Sequence, residues 1–190
     1  MPPTLKKAFR DQLGLPLVES FGQSELGGFM ALGLPEIEPD DARLSRVGPP
    51  LPDKEVRIVD REDREVPPGS IGETVLRGGF MWGYWGKPDK TEQAARGGWL
   101  RTGDLGMTDR DGYLTMRGRH SELIRVNGVA WYPRDAEEAL CRIEGVRDAA
   151  LVGLPDVALG ARPIAALRLD DPAKLDEAAI KATIGAELPI

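Results

Sequence analysis

The chain is poor in the residues from which several common active sites are built. It contains one cysteine, Cys141, and one histidine, His120, among 190 residues. A single cysteine excludes an internal disulfide and favours the reducing cytosol, so we expect a cytoplasmic protein. The sequence also lacks the His/Cys cluster of a zinc site. A Ser-His-Asp triad would have to use His120, and no nucleophile elbow lies near it, which argues against a triad hydrolase.

Long apolar runs and strong positive charge are missing too. No stretch approaches the roughly 18 consecutive apolar residues of a membrane-spanning helix, and the first residues lack the apolar run of a secretory signal. The formal net charge is -6, which argues against nucleic acid as the main partner. The sequence has no Gly-x-x-x-x-Gly-Lys-Ser/Thr phosphate loop. We therefore expect neither a membrane span nor a nucleic-acid partner.

The apolar pattern that is present changes along the chain. Residues 4–13 carry apolar side chains every four positions, which predicts a helix, and residues 15–20 are typical of a short strand. From about residue 45 to 117, short alternating segments separated by turns favour a small antiparallel barrel or sandwich, and we expect the barrel. The rest of the chain predicts a compact α+β unit. The predicted fold class is thus mixed α+β, with the end of an α/β domain, the barrel and a small α+β C-terminal domain.

Several individual elements are specific enough to test. Asn127-Gly128 is a strong hairpin signal. Pro133 is expected to open a helix that Gly145 ends, and a last helix is expected to begin at residues 171–172. The predicted strands after residue 45 are 54–60, 72–77, 122–126, 129–131, 146–153 and 163–169.

Three short polar clusters containing glycine lie at residues 21–25, 97–106 and 118–122. Such clusters are typical of loop ends where several strands converge on one ligand. The first cluster would follow the predicted strand 15–20, and ligands bind at the carboxyl ends of strands in α/β sheets. We therefore expect the functional residues to lie in these three segments.

The candidate side chains each have two interpretations when taken alone. Asp104 could accept both hydroxyls of a ribose or could cap a turn, and Arg119 could contact ribose or phosphate or form a surface salt bridge. Glu25 could hold magnesium through one oxygen or be a solvated loop charge. Phe21 could stack on a flat base or belong to the core. Residue type leaves these alternatives open.

Four motifs follow one another along the chain. They are Phe-Gly-Gln-Ser-Glu at 21–25, Met-Trp-Gly-Tyr-Trp-Gly-Lys-Pro at 81–88, Gly-Trp-Leu-Arg-Thr-Gly-Asp-Leu-Gly at 98–106 and Gly-Arg-His-Ser-Glu-Leu-Ile-Arg-Val-Asn-Gly at 118–128. In this order they resemble the adenylate-forming (AMP-binding) superfamily, which includes acyl-CoA synthetases, peptide-synthetase adenylation domains and firefly luciferase. The resemblance runs from about Leu15 to the end of the chain.

The resemblance implies a ligase with two half-reactions. A carboxylic acid attacks the α-phosphate of ATP, giving an acyl-adenylate and pyrophosphate, and a thiol, usually coenzyme A, then takes the acyl group while AMP leaves. The implied cofactors are ATP/AMP, Mg²⁺ and coenzyme A, and the implied partner is a small-molecule acid, which we expect to be a fatty acid. Such chemistry depends mostly on positioning and electrostatics.

The first motif carries the catalytic candidates by resemblance. Phe21 would lie against adenine, and Gly22 and Gln23 would belong to the same cofactor-binding segment. Ser24 would approach the α-phosphate, and Glu25 would hold the magnesium ion.

Later motifs complete the set of candidates by resemblance. Asp104 would hold the ribose hydroxyls with help from Arg119, and Gly128 would lie by the pantetheine path. Ser121 matches the position of the hinge about which a small C-terminal domain swings. Many relatives have Asp or Lys at this position. Serine is small enough to permit the swing, but it lacks the charge that those residues carry.

The resemblance predicts two domains. Residues 1–117 would be the C-terminal portion of a large AMP-binding domain, and residues 118–190 an incomplete mobile C-terminal domain. The Ser/Thr/Gly-rich phosphate loop and the catalytic lysine of the family are missing from the sequence. We therefore interpret the chain as a fragment that is inactive alone, and its incomplete sheet edge would favour a homo-oligomer.

Two alternatives to an acyl-CoA synthetase remain open at this point. The motifs do not separate coenzyme A from a phosphopantetheinyl carrier, so an adenylation domain that loads a carrier protein fits as well. The second alternative is an inactive truncated relative that acts as a nucleotide-binding or interaction module.

Overall fold

A computed structural model describes residues 3–34, 44–171 and 177–187. Within these ranges the chain forms two compact units, Met1–Arg117 and Gly118–Ile190. Both units combine helices with antiparallel sheets, which confirms the predicted mixed α+β class. In the part of the chain that the structure describes, no helix is long and apolar enough to cross a membrane.

The elements follow one another with short connections. Up to the unit boundary they are α1 (Pro3–Leu13), β1 (Ser20–Gln23), a 3-10 turn (Ser24–Leu26), β2 (Gly28–Leu32), β3 (Glu55–Val59), β4 (Gly72–Arg77), α2 (Pro88–Ala94), β5 (Ala95–Arg96), β6 (Trp99–Thr108) and β7 (Leu114–Arg119). The remaining elements are a 3-10 turn (His120–Glu122), β8 (Ile124–Val126), β9 (Val129–Trp131), α3 (Pro133–Leu140), β10 (Val146–Asp156), β11 (Gly160–Leu169) and α4 (Glu177–Glu187).

Helix α1 forms where the sequence predicts it, but a lysine occupies its inner face. Lys6 is 5% exposed, and its Nζ lies 2.6 Å from Glu19 Oε2 and donates to the Arg46 carbonyl at 3.0 Å. Leu5 and Leu13 are more than half exposed. A buried ammonium is tolerated because it has both an ionic partner and a carbonyl acceptor.

The strand predicted over residues 15–20 is displaced. Strand β1 begins at Ser20, so residues 21–23, which were expected to follow the strand, lie within it, and residues 24–25 lie in the 3-10 turn that comes next. Strand β1 pairs antiparallel with β2, from Ser20↔Leu32 to Gln23↔Gly28. Pro16 lacks a backbone N–H, which makes the earlier segment a poor strand. The first polar cluster therefore lies in a tight antiparallel hairpin and not beyond a parallel strand.

The prediction of a closed β-barrel over residues 45–117 is wrong for the described residues. The five-stranded sheet has the order β3-β4-β6-β5, with β7 also paired to β6, and it stays open. Isolated bridges, Gly48↔Leu114 and Ala31↔Pro50, join the segment after residue 46 to β7 and β2. Pro49 and Pro50 have no N–H to donate, so this segment forms bridges where a barrel would need a continuous ladder.

Two apolar clusters form the core of the first unit. Cluster A contains Ala31, Val47, Ile58 and Leu114, and cluster B contains Met30, Leu76 and Leu100. Strand β2 contributes one residue to each cluster. Burial of these side chains holds the β1–β2 hairpin against the larger sheet, because removal of apolar area from water stabilises each contact by about 25 cal/mol per Å².

The second unit has a four-stranded sheet of order β10-β11-β8-β9. The predicted Asn127-Gly128 hairpin is confirmed: their φ angles are 51° and 80°, as a two-residue turn with left-handed backbone requires. Helix α3 begins at Pro133 as predicted but ends at Leu140, before Gly145. Residues 172–176, which include the predicted start of the last helix, lie outside the described residues.

Helix α3 is attached to the sheet by apolar and polar contacts. Its residues Ala136 and Leu140 are fully buried, and Ala136 packs with Ile124 and Leu151. The Glu137 carboxylate accepts a hydrogen bond from the Leu151 backbone N–H at 2.9 Å. This side chain therefore joins α3 to β10.

Gly72 should be intolerant of a side chain because β3 runs close beside it. A Cβ at Gly72 would lie 2.4 Å from the Val59 carbonyl oxygen and 2.9 Å from Ile58 Cγ2. We expect Gly72→Ala to lower the free energy of unfolding by about 1–3 kcal/mol, measured by urea denaturation. Gly28→Ala is the matched control, since a Cβ there meets nothing within 4 Å. An unchanged stability of Gly72→Ala would show that the two strands separate easily.

Candidate functional site

A bulge in β6 directs the central carboxylate of the chain inward. The β4–β6 register runs Glu73↔Leu105 and Val75↔Arg101, so residues 102–104 of β6 lie opposite one residue of β4. Gly103 within the bulge has φ 71°, which a glycine adopts without strain. Bulges bend a strand, increase its local twist and are over-represented next to active sites.

The hydroxyl of Thr102 fixes the shape of the bulge. Thr102 Oγ1 donates to the Thr74 carbonyl at 2.7 Å and accepts from the Asp104 backbone N–H at 3.0 Å. All three residues are buried, with Thr74 fully so. Hydrogen bonds inside a low-dielectric interior hold a geometry firmly, because breaking one leaves a buried polar group unpaired.

The Asp104 carboxylate is tied to the first polar cluster. Asp104 is 7% exposed, and its Oδ2 accepts a hydrogen bond from Gln23 Nε2 at 2.7 Å. The same Nε2 donates to the Thr102 carbonyl at 3.1 Å. One amide group on β1 therefore orients both the carboxylate and the bulge that carries it.

A tyrosine joins the first cluster to the motif at residues 81–88. Tyr84 Oη donates to Glu25 Oε1 at 2.9 Å, and the Met81 backbone N–H donates to the Glu25 carbonyl at 2.6 Å. The hydrogen bond to the Glu25 carboxylate raises the pKa of Tyr84 above its ordinary value of 10.0. The phenol is therefore the form that the contact stabilises.

The turn between β1 and β2 presents a hydroxyl beside these groups. Ser24 is exposed and begins the 3-10 turn that Gly27 closes with a left-handed backbone, φ 64°. Gly22 permits the hairpin to close, since a Cβ there would lie 2.3 Å from the Gly28 carbonyl oxygen. Gly22 and Gly27 thus shape the tight turn on which Ser24 lies.

Phe21 is half-buried and packs against both cluster A and cluster B. The core interpretation of this residue is therefore supported by its contacts.

The candidates after residue 117 lie in the second unit. Arg119 is exposed, and its backbone N–H donates to the Glu122 carboxylate at 3.1 Å across the 3-10 turn. Ser121 is exposed within that turn, and Gly128 is exposed at the tip of the β8–β9 hairpin. All three are accessible to solvent.

Comparison with known proteins adds independent observations. Residues 1–85 match the family model described as AMP-binding enzyme. A sulfoacetate–CoA ligase from Cupriavidus necator is 39% identical over 184 residues, which cover 96% of this chain and 36% of that protein. The chain belongs to the adenylate-forming, AMP-binding enzyme family.

Two further relatives show how much of such proteins the chain spans. A long-chain-fatty-acid–CoA ligase from Salmonella typhimurium is 34% identical over 168 residues, covering 88% of this chain and 29% of the relative. The solved structure of an amide bond synthetase from Marinactinospora thermotolerans superposes with a TM-score of 0.89 at 36% identity, covering 98% of this chain and 38% of that chain. The chain thus spans about a third of the length of the relatives it matches.

In this member of the AMP-binding family, direct hydrogen bonds join some of the candidate residues to other motifs. The structure joins Gln23 to Asp104 and Glu25 to Tyr84 by direct hydrogen bonds. Sequence analysis did not foresee either bond, and it gave no role to Tyr84 or Thr102. The signal was present, because Tyr84 lies in a quoted motif and Thr102 begins a Thr-Gly-Asp turn.

For a magnesium ion, this site offers a single carboxylate, that of Glu25. Among the described residues, no group of three or more His, Cys, Asp or Glu side chains is arranged to hold a metal. Mg²⁺ is commonly held by one or two carboxylates together with water and substrate phosphates. Glu25 would supply one such carboxylate, and Tyr84 orients it through a hydrogen bond to Oε1.

The Glu25–Tyr84 contact predicts a measurable titration. We expect Glu25→Ala to lower the pKa of Tyr84 toward 10.0, because the carboxylate no longer accepts its proton or repels the phenolate. The contact should be intact below the ordinary tyrosine pKa and lost as pH rises through the raised one. The absorbance of phenolate, taken as the difference between each protein and its Tyr84→Phe form, measures this.

Glu122→Ala is the control for that titration, since it removes an exposed glutamate of the second unit. Equal titration of Tyr84 in the Glu25→Ala and Glu122→Ala proteins would show that the contact does not form in solution.

Proposed function

We propose that the chain is the C-terminal part of an AMP-forming acid–thiol ligase. In this proposal, residues 1–117 end the nucleotide-binding domain and residues 118–190 form the smaller domain that moves about Ser121. The observation that carries the proposal is the buried Asp104 carboxylate, which Gln23 holds at 2.7 Å. That bond joins two of the motifs by which the family is recognised.

Asp104 would bind the ribose of ATP and AMP. An ionised carboxylate accepts hydrogen bonds from two neighbouring hydroxyls, and charge-assisted bonds are stronger than neutral ones. The Gln23 amide orients Oδ2, and the Thr102 hydroxyl fixes the backbone of Asp104. A carboxylate held in this way loses little conformational freedom when it binds a ligand.

The hairpin turn would serve the phosphate end of the nucleotide. Phe21 and Gly22 would flank the adenine, the Ser24 hydroxyl would approach the α-phosphate, and Glu25 would hold Mg²⁺ with Tyr84 orienting its carboxylate. Magnesium bound there would neutralise charge that develops on the phosphate oxygens. The protein's own contribution is to position these groups on one rigid turn.

The second unit would supply the remaining contacts. Arg119, a permanent cation, suits the ribose or phosphate of the nucleotide. Gly128 has no side chain, which suits a surface past which the pantetheine arm of coenzyme A runs. The small, exposed Ser121 would permit the backbone rotation of a hinge.

The acid is proposed to be a fatty acid and the acceptor coenzyme A. The matched long-chain-fatty-acid–CoA ligase supports that choice, although the sulfoacetate–CoA ligase is more similar to this chain. A second candidate transfers the acyl group to another acceptor, such as a carrier protein or an amine. The similarity to an amide bond synthetase favours that candidate.

Exposed apolar side chains suggest that more polypeptide covers the first unit. They concentrate in α1, the following segment and the β1–β2 hairpin, at Leu5, Leu13, Leu15, Val18, Phe29, Leu32 and Leu34. Contiguous exposed apolar surface marks an interaction site. In the proposal, the remaining two thirds of a full-length ligase pack on this surface; the isolated chain would instead form homo-oligomers through it, or act as an interaction module.

The nucleotide assignment predicts a preference for ribose over deoxyribose. We expect the chain to bind AMP more tightly than 2′-deoxyadenosine monophosphate in calorimetric titrations. Asp104→Asn should weaken AMP binding about ten- to hundredfold and abolish the preference, since a bond to a charged group contributes about 1.5–3 kcal/mol. Gln23→Leu should lose part of the preference, because the carboxylate is present but no longer oriented.

Asp111→Asn is the control for the calorimetry, because Asp111 is an exposed turn residue. A folded chain that binds both nucleotides equally, or an Asp104→Asn protein that keeps the preference, would rule out the ribose assignment.

The chain alone is proposed to bind nucleotide without adenylating an acid. The sequence lacks the phosphate loop and the C-terminal lysine that the resemblance leads one to expect. We expect ATP–pyrophosphate exchange at background with either sulfoacetate or a long-chain fatty acid. The full-length C. necator sulfoacetate–CoA ligase is the positive control. Exchange by the purified chain that disappears in Asp104→Ala would overturn the proposed inactivity.

A further inference from the structure

We propose that the outer face of the five-stranded sheet carries a second small-molecule site, for an organic anion with a planar ring. A cavity of about 360 Å³ opens there, within the size range of small-ligand sites. We call it the Trp99 pocket, and its polar and aromatic lining consists of Arg57, Asp63, Arg96, Trp99 and Arg101. Nothing in the proposed ligase reaction uses these residues.

The Trp99 pocket lies on the face of β6 opposite to Asp104. Leu100 is buried in cluster B and Asp104 is buried against Gln23, whereas Trp99 and Arg101 line the cavity. Alternate residues of a strand point to opposite faces of its sheet. A ligand in this pocket would therefore not compete with one held by Asp104.

Positive charge exceeds negative charge in the lining, and two of the arginines have long ion pairs with carboxylates. Arg101 is 17% exposed and is fixed by Glu73 at 2.5 Å and by Asp63. Arg96 lies 3.9 Å from Asp63 and is 62% exposed. Arg57 lies 3.6 Å from an exposed glutamate and is 46% exposed. Long, exposed ion pairs contribute little, so an incoming anion can take over both guanidinium groups.

The Trp99 ring is held flat beside these cations. The Arg57 guanidinium carbon lies 4.4 Å from the centroid of the ring, and that of Arg77 lies 4.8 Å from it. Arg77 is itself clamped by the Glu55 carboxylate through bonds of 2.6–3.0 Å. A ring fixed in this way loses little entropy when a ligand packs against it.

The apolar part of the cavity lining favours a ligand that also carries an apolar ring. Val59 and Val75, each 5% exposed, lie at the base of the cavity beside Trp99. A planar ring can pack on this floor while its carboxylate or phosphate meets Arg57 and Arg96. Guanidinium groups match both anions in geometry, so the shared chemistry is an aryl carboxylate or aryl phosphate.

Three probes separate the parts of this chemistry: phenyl phosphate has ring and charge, inorganic phosphate only charge, and phenol only a ring. We expect phenyl phosphate to shift the Trp99 indole N–H signal in ¹H–¹⁵N spectra at concentrations at least about tenfold lower than either other probe. The signal is assigned by its loss in Trp99→Phe.

Arg96→Gln should weaken the binding of phenyl phosphate about tenfold, and Arg57→Lys should weaken it by removing the planar cation.

Two control variants define the site. Arg168→Gln removes an exposed arginine that lies 3.6 Å from Asp148 in the second unit, and it should leave the titration unchanged. Ser24→Ala removes an exposed hydroxyl of the candidate nucleotide site and should also leave the titration unchanged, so failure of the nucleotide assignment and failure of this one are separate results. Equal midpoints for phenyl phosphate and inorganic phosphate, no effect of Arg96→Gln, or shifts confined to other tryptophans would overturn the proposal.

Discussion

The structure of the first unit depends on the burial of one carboxylate. A charged group that is 7% exposed must be hydrogen-bonded, because an unpaired buried charge costs several kcal/mol. Gln23 supplies a donor for Asp104, and the Thr102 hydroxyl accepts from the Asp104 N–H. Because Gln23 lies on β1, the need to satisfy Asp104 also fixes where the β1–β2 hairpin sits against β6.

The bulge in β6 lets one strand serve two faces with different chemistry. The additional residues opposite Thr74 leave Asp104 on the buried face of β6, the face of Leu100. The bulge is compatible with the sheet because Gly103 takes the left-handed backbone and its N–H donates to Glu73 at 3.2 Å. Glu73 also binds Arg101, so the carboxylate that supports the bulge on one side helps to build the Trp99 pocket on the other.

Local features were predictable from the sequence, whereas long-range pairing was not. The strand over residues 72–77 and the hairpin at Asn127-Gly128 rest on alternation and on turn chemistry that neighbouring residues determine. The barrel was predicted because many short strands resemble one, but closure depends on whether distant edges pair, and prolines at 49 and 50 prevent a continuous ladder. The Gln23–Asp104 bond spans 81 residues, so no local pattern reveals it. The motifs still marked both of its residues as candidates.

The charges of the candidate nucleotide site limit what it can do by itself. Gln23, Ser24 and Tyr84 are neutral, and Glu25 and Asp104 carry carboxylates, so these five side chains supply no positive charge. A carboxylate suits the hydroxyls of a ribose, but Glu25 would repel a triphosphate unless a divalent cation lay between them. The site is therefore better suited to a nucleotide with one phosphate than to metal-free ATP. In the proposed reaction, stabilisation of the reacting phosphate would then come from cations outside this group, so the proposed nucleotide binding and the proposed adenylation step can be tested separately.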